Sequence, residues 1–142
     1  MNVKKFWIAF IVIFVVLEVT NYIIHVGILG SAYAEEGVKA LMRSAEDMQS
    51  KMWIMWLMDL VWVYFFMYIF VKGYENKGIM EGIKFGAIIG LFVPFVMAYQ
   101  TYAVAPFPYS LTFQWFIYGF IQCIILGVVA ALIYKPKNAA TS

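Results

Sequence analysis

The sequence predicts an all-α membrane protein: an antiparallel bundle of four transmembrane helices, with a short amphipathic external helix between the first two. Three observations carry that prediction. The 142 residues are 65% hydrophobic, 20% aromatic and 13% charged, whereas soluble domains run nearer half apolar and a quarter charged. Four apolar stretches, about 6–30, 51–71, 79–103 and 109–134, each match the ~20 residues that cross a hydrocarbon core as a helix. The basic residues alternate between the connections in the sense of the positive-inside rule. A chain this short and apolar cannot hide its side chains in one aqueous core. Residues 1–142 therefore read as a single membrane domain whose solvent is the lipid bilayer. The formal charge of +2 is too small and too scattered to point to nucleic acid.

The first apolar stretch has a basic tip and is followed by Ala32-Tyr33-Ala34, which matches a signal-peptidase site. Its apolar run is about twice a signal core, and Glu18 interrupts it, so a retained first helix is expected. The link that follows carries Val38, Leu41, Met42, Ala45 and Met48 at helical spacing, with Glu35, Glu36, Lys39 and Arg43 on other faces. It predicts an external helix over about 33–43. Ser44 and Asp47 have the spacing of a capping box that restarts the chain as the second span. The stretch KGYENKG closes a tight turn before the third span, and AVAPFP breaks the chain before the fourth. Lys4, Lys5, Lys72, Lys77, Lys84, Lys135 and Lys137 share one side, against Lys39, Arg43 and Lys51 on the other. Both termini are therefore expected on the cytoplasmic side of the cell inner membrane.

Gly82, Gly86 and Gly90 recur every fourth residue on the third span, and Gly119, Cys123, Gly127 and Ala131 do so on the fourth. Such strips let helix backbones approach closely, so spans three and four are expected to pack there. A homodimer contact through one strip is the alternative. Pro94 lies above the third-span strip and frees a backbone carbonyl. The bundle should be closed at the cytoplasmic end and splayed toward the outside.

Polar residues inside the spans need a reason. Glu18, Asn21, Tyr22 and His25 fall within one ~100° face of the first helix. Asp59, running the other way, reaches a depth between Asn21 and His25. Buried charge in lipid is costly and marks function by default. Asp59 is expected to pair with His25, and Glu18 to lean on Asn21 and Gln122. With Trp62 and Gln114 as flanking contacts, these residues outline an outward-facing pocket. An internal network that merely ties the helices together is the plain alternative.

Met48, Met52, Met55 and Met58 are thioethers of the kind that suit Cu(I), but Met also fills membrane interfaces. No metal or other cofactor is expected. There is no nucleophile–base pair, CxxC, phosphate loop or HExxH, so the sequence does not read as an enzyme. The AEDMQSK approach to span two, Glu81-Gly82 with the following glycines, and the closing LIYKP are similar to segments of small bacterial four-helix membrane proteins grouped as a domain of unknown function. That resemblance implies a prokaryotic inner membrane and no particular activity. The expected function is binding of a small polar or amphipathic ligand, as sensor or carrier. An accessory subunit of a larger membrane complex and a proton-coupled transporter acting as a dimer are the other readings.

Overall fold

The computed structural model describes residues 2–135; Lys137 and the end of LIYKP lie outside them. The described residues are all helical, without strands. Helix α1 (Val3–Tyr22) runs into a π-helical segment, π1 (Ile23–Ile28), and then into the short α2 (Gly30–Ala34) and α3 (Glu36–Lys39). After α4 (Ala45–Ser50) come three long helices: α5 (Met52–Lys72), α6 (Ile79–Val104) and α7 (Tyr109–Ile133). Val3–Ile28, α5, α6 and α7 are long and apolar enough to cross a membrane. Their outward faces carry apolar side chains such as Ile11, Val15, Ile88 and Phe92, each more than half exposed. Lipid is the solvent such surfaces call for.

The core sits at one end. Phe6, Ala9, Ile13 and Leu17 recur at three- and four-residue steps on α1 and meet Val63, Phe66, Met67 and Phe70 of α5 and Leu126, Ala130 and Ala131 of α7. Asn2 caps α1 by accepting from the Lys5 amide at 3.1 Å, and its own amide donates to Tyr134 Oη at 2.9 Å. That bond brings the start of α1 to the end of α7. Tyr74, in the turn between α5 and α6, stands edge-on to Tyr134 at 5.3 Å. Within this turn Asn76 and Gly78 take positive φ, and the Glu81 carboxylate accepts from the amides of Glu75 and Lys77 at 2.5 and 2.8 Å. A carboxylate at a helix N-terminus also suits the helix dipole.

Helices α6 and α7 are in backbone contact. A Cβ at Gly82 would overlap the Gly127 carbonyl, one at Gly86 the Cys123 carbonyl, and one at Gly127 the Gly82 carbonyl. At Gly90 it would meet Phe120, and at Gly119 the Pro94 ring. Numbers rise along α6 as they fall along α7, so the two run in opposite directions. Cys123 is buried in this seam as a free thiol.

The far end is built more thinly. Leu29, Val38 and Leu111 form a small cluster with Phe107, Trp115 and Tyr118 against it. The external segment is not one helix over 33–43. The chain turns at Glu35 (φ −60°, ψ 132°), and α3 is a single turn. That break lets Val38 reach Leu29 and Leu111 while Leu41 stays in the open, which one surface helix would not do. Ser44 does cap, accepting from the Asp47 amide at 3.2 Å, but the helix it starts is α4, separated from α5 at Lys51.

Candidate functional site

Between π1, α6 and α7 lies a cleft of about 370 Å³, lined by Ile24, His25, Tyr33, Pro94, Met97, Ala98, Thr101, Trp115, Gly119 and Gln122. It sits above the glycine seam. There the α6–α7 contact passes from backbone on backbone to side chains: Gly90 faces Phe120, Gly119 faces the Pro94 ring, and Phe95 packs edge-on to Phe116 at 5.1 Å.

π1 supplies the cleft's histidine. The Leu29 amide donates to the Ile24 carbonyl five residues back, at 2.8 Å, so the helix takes an extra residue into that turn. Such π turns often occur at functional sites. His25 lies in this turn, its Nδ1 2.7 Å from Tyr33 Oη and its ring parallel to Tyr33 at 6.0 Å and 11°. Trp115 of α7 donates its Nε1–H to the same hydroxyl at 2.7 Å. Burial raises the Tyr33 phenol above its ordinary value, with the Trp115 bond opposing it, so Tyr33 stays an O–H at neutral pH. At the inner end of the cleft, Gln122 Nε2 donates to Thr20 Oγ1 at 2.7 Å and to Asn21 Oδ1 at 2.8 Å, stitching α7 to α1. The α6 wall is apolar except for Thr101, whose hydroxyl donates to the Met97 carbonyl at 2.8 Å.

No family model, curated protein or solved structure matches the chain. The resemblance seen in the sequence therefore brings no residue roles to this cleft, and its chemistry has to be read from its own atoms.

The sequence-predicted residues divide into two groups and a remainder. His25 lines the cleft, and Asn21 holds its floor through Gln122. Glu18 and Asp59 come together elsewhere, between α1 and α5, as neighbouring carboxyls. Two expected pairings are thus corrected. His25 takes Tyr33, not Asp59, because π1 continues into α2 and brings Tyr33 back over the ring. Glu18 meets Asp59 while Asn21 and Gln122 bond each other, because Glu18 and Asn21 lie ~60° apart around α1 and face different helices. Glu18 Oε1 is shut off from solvent and meets no donor among the described residues.

Tyr22, 68% exposed, points away from the cleft. Trp62 stacks on Phe66 at 4.9 Å, against the lower core. Gln114 is half-buried and does not line the cleft. Sequence reasoning missed Tyr33 and Thr101. Tyr33 lies eight residues beyond His25, past the i,i+4 reach of a regular helix. Thr101 carried no signal beyond being a hydroxyl near the end of an apolar span.

Proposed function

We propose that the chain is an antiparallel four-helix bundle of the cell inner membrane, with both termini cytoplasmic, that binds a small amphipathic ligand in an outward-facing cleft, as a sensor or carrier. The carrying observation is the cleft itself. It has a volume typical of ligand sites, an apolar wall of Ile24, Pro94, Met97 and Ala98, and a polar group at each end. The meeting of Asn2 with Tyr134 and of Tyr74 with Tyr134 supports the bundle arrangement. The side of the membrane rests on the charge count: Lys4, Lys5, Lys72, Lys77 and Lys84 lie at the end with the core, and Lys39, Arg43 and Lys51 at the end with the cleft.

Native mass spectrometry of protein released from mild detergent tests the reading. A bound mass of a few hundred daltons is expected, lost in Thr101→Phe, which fills the cleft from α6. A bare chain in both forms would sink the ligand reading.

The Glu18–Asp59 contact favours a second reading, proton-coupled transport by a dimer. Vesicle flux of a candidate substrate should then depend on pH and vanish in Glu18→Gln; flux indifferent to pH would remove this reading.

A further inference from the structure

The hydrogen-bond polarity of the cleft follows atom by atom. Thr20 has one hydroxyl hydrogen, which goes to the Val16 and Leu17 carbonyls at 2.8 and 3.0 Å. Its oxygen can therefore meet Gln122 only as an acceptor, so the Gln122 atom beside it is the amide nitrogen. The second hydrogen of that nitrogen goes to Asn21. Both Gln122 donors are used. Its Oε1 has no partner among the described residues, and the side chain lines the cleft. Thr101 has likewise given its hydrogen to Met97, leaving an acceptor.

The other end has the opposite sign. The Trp115 indole can only donate, and it donates to Tyr33. Trp115 takes a lone pair and leaves the Tyr33 hydrogen available for the remaining 2.7 Å contact, where it makes His25 Nδ1 the acceptor. An imidazole that accepts at Nδ1 carries its hydrogen on Nε2. That Nε2–H has no partner among the described residues, and His25 lines the cleft. Among the described residues no Lys, Arg, Asp or Glu lines it. A charged head would find no counter-ion among these residues.

We propose that the cleft selects an uncharged hydroxylated amphiphile of the acylglycerol kind, its carbonyl or ether oxygen accepting from His25 Nε2–H, its hydroxyl donating to Gln122 Oε1, and its chain lying along Ile24, Pro94, Met97 and Ala98. Fatty acids, amines and plain hydrocarbons are disfavoured: the first two bring charge, and the last leaves both polar groups unpaired. This rests on the cleft being a ligand site at all.

His25 is the sole histidine of the chain, so protein labelled with ¹⁵N-histidine gives a spectrum of this one ring. The labelled protein, in lipid nanodiscs at neutral pH, would be titrated with monolauroylglycerol, laurate, laurylamine and dodecane, which isolates the head group. The expected spectrum before addition is the Nε2–H tautomer. Monolauroylglycerol should shift Nε2 saturably, with half-saturation at least about tenfold below that of any other probe, the difference one good hydrogen bond makes. An Nδ1–H tautomer or an imidazolium would overturn the donor assignment. A saturable response equal for laurate or dodecane would overturn the head-group selection while leaving the cleft a ligand site. No saturable response to any probe would overturn both this inference and the ligand reading beneath it.

Discussion

Tyr33 holds the outer end of the cleft together, because one hydroxyl serves both Trp115 and His25. Tyr33→Phe keeps the ring and removes that oxygen, leaving a part-buried N–H and an exposed imidazole nitrogen without their shared partner. A loss of about 0.5–1.5 kcal/mol in unfolding free energy is expected, and the His25 ring should pass to a mixture of tautomers in its ¹⁵N spectrum. Tyr22→Phe, on a side chain 68% exposed and with no hydrogen-bond partner among the described residues, should stay within about 0.5 kcal/mol of wild type in the same assay. Legibility at this scale followed cost. Glu18, Asn21, His25 and Asp59 stood out because polar atoms are expensive in lipid. Their partners did not, since a partner depends on how each helix is turned, and an extra residue in π1 changes the phase of everything after it.

Among the elements, the α6–α7 seam is the tightest. Gly127→Leu would drive a side chain into the Gly82 carbonyl, and Gly86→Leu into that of Cys123. Backbone cannot give way as a flexible side chain does, so each should cost at least the about 1–3 kcal/mol of an overpacked core, read as a fall in thermal stability in detergent. Gly37→Ala, with open space around its Cβ position, should leave the melting temperature nearly unchanged. The four-residue spacing of these glycines made the seam legible. The outer segment was less so: its apolar periodicity ran on past Glu35, but burying Val38 required a break there. Beyond that break, Lys51 and then Arg43 hold the Asp47 carboxyl below its ordinary range. A depressed carboxylate contributes above its unfolded value and loses that contribution as pH falls through the folded one. The protection factors of the α4 amides should therefore hold on acidification to about pH 4, the usual carboxylate range, and fall only below it.

For the molecule as a whole, the buried core lies at the end with Asn2 and Tyr134, and the cleft at the end with Leu29, Val38 and Leu111. Hydropathy made the four long helices legible to within a few residues, since length and apolarity are properties of each segment alone. An outward-facing pocket was legible, but its lining was not, because the lining depends on π1 and α2 bringing Tyr33 to His25 and on which faces α6 and α7 turn to each other. The proposed topology predicts that a cysteine at Gly37 reacts with a membrane-impermeant maleimide in whole cells, and one at Asn76 reacts only after the cells are opened. The central claim, that the cleft takes an amphiphile, is tested most directly by photolabelling with a diazirine-bearing monoacylglycerol, followed by peptide mapping. Saturable labelling confined to Ile24–Tyr33, Pro94–Thr101 and Trp115–Gln122, and abolished by Thr101→Phe, is the predicted result. Labelling that never saturates and falls on lipid-facing residues such as Trp53 and Met55 of α5, more than half exposed, would contradict it.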